Sequence, residues 1–259
     1  MIELNEGAVC GVDGYLPETL SNSSVAQATK KSRIVNVEIV SDAICPWCYV
    51  GKRRFEAALA KLPDDVTVDV HWRPFELNPQ MPPEGMDRAT YRSRKFGSLE
   101  HSQQLDARIA AVGAPDGIEF RHDLMRRTPN TFNAHRLIWL ADQEGMQDAV
   151  VEALFRGYFE EGQDIGGAGV LAELAASAGL ARDRVEQFLA SDEGTDAVSA
   201  AELDARRHQV SGVPTFIING EPAFAGAQPA ELMLATCWRR QGIDEHGSRD
   251  GRTGDWRRG

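Results

Sequence analysis

The residues that favour strands are gathered at two places in this chain, and about 120 residues between them read as helix. The first place opens with Ile34-Val35-Asn36-Val37-Glu38-Ile39-Val40, a β-branched, partly alternating run suited to a strand buried on at least one face. Ser41-Asp42-Ala43-Ile44 then turn the chain, and Pro46 suits the first position of a helix, where its missing N–H costs nothing. Phe55, Ala58, Leu59 and Leu62 recur at helical spacing until Pro63 stops the run. Val66-Thr67-Val68-Asp69-Val70-His71-Trp72 alternates as a second strand. Strand, helix, strand in this order predicts a right-handed crossover with parallel pairing. The second place is Pro214-Thr215-Phe216-Ile217-Ile218, then the hairpin signal Asn219-Gly220, then Glu221-Pro222-Ala223-Phe224-Ala225. Gln228-Pro229-Ala230-Glu231 opens a last helix with Leu232, Ala235 and Trp238 on one face.

Between the two places, three apolar stripes recur at helical spacing: Ala134, Leu137, Ile138 and Ala141; Val151, Leu154, Phe155 and Tyr158; Leu171, Leu174, Ala175 and Ala178, the last closed by Gly179. Such stripes are buried only against each other or against the sheet. The expected architecture is α/β: a sheet unit of order βαβ…ββα carrying a large all-helical insertion. The boundaries place the sheet unit at residues 34–86 and 209–240 and the insertion at 87–208. Residues 1–33, rich in Ser, Asn, Gly and Thr, and the tail 241–259 are expected to be flexible.

A net charge of −11 argues against a nucleic-acid partner, because phosphate binding needs a basic face. No run approaches the roughly 20 apolar residues that span a bilayer. Glu3 and Glu6 stand where a secretory signal would be basic, so a cytoplasmic location is expected.

Four cysteines in 259 residues do not make a disulfide scaffold, but Cys45-Pro46-Trp47-Cys48 sets two of them three positions apart. The tetrapeptide follows a strand and opens a helix. Unpaired N–H groups and the helix dipole favour an anion there, which selects Cys45 as the reactive thiolate. Cys48 lies one turn further in, with its sulfur directed back and largely covered. Cys45 is therefore expected to form the mixed disulfide with a substrate and Cys48 to resolve it. Pro46 and Trp47 set the small ring and shape the contact surface. Metal binding would need two further ligands, and only Cys237 is at hand, so no metal is expected. His135 is read as a structural histidine in preference to a proton shuttle, Cys237 as a buried inert thiol, and Met125, Met146 and Met233 as core filler. Cys10 lies in the extension, where transient pairing with Cys45 is the lesser reading. The Arg126-Arg127 pair reads as a solvated face.

Four segments together resemble the DsbA-like thioredoxin family, and within it the FrnE-like cytoplasmic branch. They are Asp42 to Arg53, Arg73-Pro74-Phe75-Glu76-Leu77-Asn78-Pro79, Asn130-Thr131-Phe132-Asn133-Ala134-His135-Arg136-Leu137, and Gly212 to Gly220. The resemblance runs in order over about residues 34 to 240. It implies a thioredoxin-like core, a redox-active Cys45–Cys48 disulfide and a cis peptide bond at Val213–Pro214 facing it. Val213 would then offer its backbone to an extended substrate segment as an added strand. Arg73 to Pro79 and Asn130 to Arg136 would line the groove between core and insertion. The implied activity is disulfide exchange with protein or small-thiol substrates, with no bound cofactor. Glutathione is a candidate co-substrate, and a homodimer is one option for the oligomeric state. The family is also similar to 2-hydroxychromene-2-carboxylate isomerases and kappa-class glutathione transferases, which usually carry serine where Cys45 stands. A redox-switched chaperone or binding module is a third, non-enzymatic reading.

Overall fold

In the computed structural model, which describes residues 33–240 with the side chains of Trp238 and Arg240 excepted, the two strand-rich places become one sheet. β1 (Arg33–Ser41) leads into α1 (Pro46–Leu59) and β2 (Val66–Pro74). The long middle runs through β3 (Met86–Asp87), α2 (Arg88–Phe96), α3 (Leu99–Gly113), β4 (Arg127–Thr128), α4 (Phe132–Gln143), α5 (Gln147–Phe159), α6 (Ala168–Ser177), α7 (Arg182–Leu189) and α8 (Thr195–Arg207). β5 (Thr215–Ile218), β6 (Glu221–Ala225) and α9 (Ala230–Arg240) complete it. The sheet order is β2-β1-β5-β6. β1 and β2 are parallel, as the crossover requires, and β5 returns antiparallel to β1, with Val37 opposite both Val70 and Ile218. Asn219 and Gly220 turn the β5–β6 hairpin with φ of 52° and 80°, the left-handed conformation that a two-residue hairpin turn demands.

Burial explains the pattern. Val35, Val37 and Ile39 point into the core while Asn36 lies on the exposed face. The three expected helical stripes are buried, save half-buried Ala178, and they join Phe55, Phe188 and Phe216 in one continuous core. Each buried Leu or Phe side chain contributes roughly 1.5–3 kcal/mol of transfer free energy. Among the described residues β2 ends the sheet, and α5 bonds to it at Trp72. Gln147 accepts from Trp72 N–H at 2.8 Å and donates to Trp72 C=O at 3.1 Å, reproducing a strand's pairing with one side chain. Lys52 of α1 is buried among Glu56, Asp148 and Glu152, which ties α1 to α5. Residues 33–240 fall in a single compact unit. Among the described residues, no helix is long and apolar enough to cross a membrane.

Two expectations need correcting. The 87–208 stretch is not purely helical, because β3 and β4 pair antiparallel through Met86–Thr128 and Asp87–Arg127. Two residues are too few to leave a period-2 signature. The buried face of α9 is also rotated by one residue: Met233 and Cys237 are buried, whereas Leu232 is 44% exposed. That helix packs on α1, and its register is set by which side chains meet α1, a tertiary matter. The extension and tail, apart from Arg33, which opens β1, lie outside the described residues, and with them Cys10.

Candidate active site

Cys45 is the N-cap of α1, in extended conformation, with Pro46 at the first helical position. The first turn of α1 holds no acidic residue and no side chain caps it, so Cys45 stands at an uncapped helix N-terminus. The preceding turn is held by Cys45 N–H donating to Asp42 C=O at 2.9 Å. Cys48 N–H in turn donates to Cys45 C=O at 3.0 Å, which folds the second cysteine back over the first. Both thiols are free. Burial, and then Cys45 itself, push the Cys48 thiol well above its ordinary range, so Cys48 is held as the protonated thiol.

The opposite wall comes from the far end of the chain. Val213–Pro214 is cis, and the Cys45 thiol donates to Val213 C=O over 3.6 Å. The loop is fixed by Thr215 Oγ1 donating to Gly212 C=O and by Gly226 N–H donating to Pro214 C=O, both at 2.8 Å. Gly51 makes the approach of α1 to this loop feasible, because a Cβ there would stand 3.1 Å from Pro214 Cγ. Cys45 is covered to within 4% and opens onto a cavity of about 570 Å³. Pro46, Trp47 and Val213 line that cavity with Ile44, and Trp47 remains 40% exposed at its edge. The six site residues read from the sequence are thus brought together.

The two groove segments divide. Leu77 and Asn78 line the Cys45 cavity, but Asn130, Phe132 and Asn133 line a second cavity of about 540 Å³ with Glu76, Pro79, Glu202 and Arg206. Arg136 lines neither: it clamps the carbonyls of Ser191 and Glu193, a structural task.

Sequence reasoning passed over Asp42 and Glu76. Asp42 is fully buried, accepts Leu77 N–H at 2.7 Å, and stands 3.5 Å from His135 Nε2. Burial alone would lower the His135 pKa, but Asp42, with Glu202 and Glu76, outweighs it and holds the imidazole above its ordinary value. Burial, then the neighbouring Glu202, pushes the Glu76 carboxyl up to about 7. The one available signal was an Asp three residues before the first cysteine, beside an apolar strand. Cys237 is buried near the core, and burial pushes its thiol up to about 11, as expected of an inert cysteine.

Residues 36–236 match the DSBA-like thioredoxin domain. The chain belongs to the DSBA-like thioredoxin domain family. A probable DsbA oxidoreductase from Streptomyces coelicolor is 36% identical, with a TM-score of 0.75 over 81% of this chain and 91% of that one. The uncharacterized protein YwbO of Bacillus subtilis (strain 168) is 29% identical over 74% of this chain and 90% of its own length. The cytosolic disulfide reductase DsbM from Pseudomonas aeruginosa shares the fold at 20% identity and a TM-score of 0.54, over 76% of this chain and 95% of its own. As a DSBA-like thioredoxin domain, the chain has the α/β core with a helical insertion that its sequence pattern predicts.

Proposed function

We propose that this protein is a thiol–disulfide oxidoreductase in which Cys45 exchanges with a thiol or disulfide substrate and Cys48 resolves the mixed disulfide. The observation that carries the reading is the 3.6 Å contact between Cys45 Sγ and Val213 C=O beside the cis Val213–Pro214 bond, with the Cys48 thiol behind it. The Cys45 thiolate attacks one substrate sulfur and expels the other as a thiolate. Cys48 then gives up its proton and attacks Cys45 Sγ, closing the internal disulfide and releasing the second substrate thiol. Two electrons and two protons leave the dithiol, and a thiol or dithiol reductant restores it. The Val213 backbone is the edge on which an extended substrate segment would pair, with Pro46 and Trp47 as the facing surface. The exchange needs no carrier beyond the two sulfurs.

The 36% identical Streptomyces protein described as a probable DsbA oxidoreductase supports this reading. DsbM has been solved with GSH, which supports a thiol substrate with glutathione as candidate co-substrate, and its cytosolic setting supports a cytoplasmic one here. Cys45→Ser is expected to lower reduction of insulin disulfides on the order of 10³-fold or more. Cys48→Ser is expected to accumulate a mixed disulfide on Cys45, visible by mass. Wild-type turnover by Cys45→Ser would refute the assignment.

A glutathione-dependent isomerase or transferase on the same fold is the second reading. The size of the cavity, suited to a small molecule, favours it; the second cysteine disfavours it. Under that reading Cys45→Ser keeps glutathione-dependent activity.

A further inference from the structure

Across the whole chain, acids outnumber bases 39 to 28. The lining of the Cys45 cavity reverses this. Arg88, Arg92, Lys95 and Arg108, all from the α2–α3 hairpin, face it, with Asp106 as the single carboxylate among the described residues. Asp106 is shared by Arg88 at 2.8 Å and Arg92 at 2.5 Å, so one negative charge answers two guanidinium groups. Among the described residues, Lys95 has only neutral partners, the Tyr91 hydroxyl at 2.6 Å and Asn78 Oδ1 at 3.2 Å. Arg108 is exposed and adds a fourth cation.

Asn78 supplies a second, independent observation. An ammonium group only donates, so the amide oxygen of Asn78 must face Lys95, where it also accepts from Tyr91 at 2.6 Å. That leaves Asn78, a residue of the cavity lining, with its Nδ2 buried and with no acceptor among the described residues. A buried donor without an acceptor costs roughly 1–3 kcal/mol. An acceptor atom of a ligand would relieve it. Surplus cations and an unused N–H on one wall, with a reactive thiol on the same cavity, define a ligand with an acid group at one end and sulfur at the other. The cavity volume of about 570 Å³ lies in the range of small-molecule sites.

We propose that the Cys45 cavity selects low-molecular-weight disulfides bearing a carboxylate, with Lys95, Arg108 and the Asn78 amide as the groups that recognise the acid. The inference rests on the exchange reading above. Cys45 attacks one sulfur of the acidic disulfide and expels one carboxylate-bearing thiolate. Cys48 displaces the second, and the dithiol is restored by dithiothreitol in the assay.

The test compares three aliphatic disulfides of similar length: 3,3′-dithiodipropionate, bis(2-hydroxyethyl) disulfide and cystamine, which are anionic, neutral and cationic. Each rate with the reduced protein is divided by that disulfide's rate with free dithiothreitol. The acid is expected to lead the neutral compound by about tenfold, the neutral compound to lead the cation, and the spread to shrink in 1 M salt. Lys95→Gln and Arg108→Gln, both at exposed positions, should each cut the acid-to-neutral ratio about threefold. Arg182→Gln, remote on α7, should leave the ratio alone. Equal acceleration of all three disulfides, or a ratio indifferent to Lys95 and Arg108, overturns the anion site and leaves exchange standing. No acceleration of any of them while insulin disulfides are still reduced overturns small disulfides as the substrate class, and failure with insulin as well overturns the exchange reading itself.

Discussion

Residues 76–79 run between two cavities of nearly equal size and opposite charge. Leu77 and Asn78 face the Cys45 cavity, whose walls carry four cationic side chains against one carboxylate. Glu76 and Pro79 face the other cavity, where Glu76 and Glu202 stand against Arg206. The same short segment therefore separates a region that accepts anions from one that stores protons. The Glu76 carboxyl is pushed up to about 7, and His135 is held above its ordinary value. The partition depends on one buried group. Asp42 accepts Leu77 N–H at 2.7 Å and faces His135 at 3.5 Å, so it anchors the dividing segment and supplies the histidine's counter-charge. Had the two charge sets shared one cavity, they would have neutralised each other, and neither function would be available.

Removing that anchor should give the largest effect. Asp42→Ala leaves Leu77 N–H without its acceptor and takes from buried His135 the carboxylate that faces it. Breaking one partner of a buried charged pair costs about 3–5 kcal/mol. We expect a loss in that range in urea unfolding, together with slower exchange at Cys45. Asp42→Asn should fall between, because the amide oxygen can still accept Leu77 N–H. A loss under 1 kcal/mol for Asp42→Ala would mean that the segment is held by packing alone.

The fold was largely legible in the sequence because its signals are local. The alternation of Val35, Val37 and Ile39, the Asn219-Gly220 turn and the three helical stripes each depend on near neighbours only. The Cys45–Cys48 pair was legible for the same reason: a strand, four residues and a helix start specify it. The remainder depends on contacts between distant segments. Asp42 read as a turn residue because nothing near it in sequence reveals that Leu77, 35 positions on, and His135 will close over it. The cationic wall was invisible in a chain of net charge −11, because Arg88, Lys95 and Arg108 are scattered until α2 and α3 fold into a hairpin. The rotated face of α9 is a third instance. Leu232, Ala235 and Trp238 form as good a stripe on paper as Met233 and Cys237, and only α1 chooses between them.

A smaller effect would sharpen the comparison from the acid side. Glu76 has an ordinary pKa of 4.5 and is pushed up to about 7 in the fold, so between those values the native state binds more protons than the unfolded chain. Stability must then fall as pH rises from about 4.5 to 7, and the full penalty persists above. His135 works in the same direction. Its raised native value contributes stability below its ordinary 6.5, which is lost as pH rises through the native value. Glu76→Gln should therefore flatten the stability curve between pH 5 and 7 and leave the variant on the order of 1–2 kcal/mol more stable than wild type at pH 8. The acid-to-neutral disulfide ratio should be unaffected, since Glu76 faces the other cavity. A variant whose pH profile superimposes on wild type would show that Glu76 is charged throughout.

The smallest effect on stability should come from the thiol side, at Gly51. Alanine in a helix interior is favoured over glycine by about 1 kcal/mol. The new Cβ would sit 3.1 Å from Pro214 Cγ, closer than an ordinary contact, and the loop bearing Val213 would have to yield by a few tenths of an ångström. The gain in helix propensity and the strain at Pro214 oppose each other, so Gly51→Ala should change unfolding free energy by less than about 1 kcal/mol. Function does not share that cancellation. Moving the loop lengthens the 3.6 Å contact from Cys45 to Val213 C=O, so exchange should slow several-fold while the pH dependence of unfolding, set across residues 76–79, stays as in wild type. If exchange were untouched by this substitution, the close seating of α1 on the Val213–Pro214 loop would have no part in the chemistry, and the two cavities would differ in charge alone.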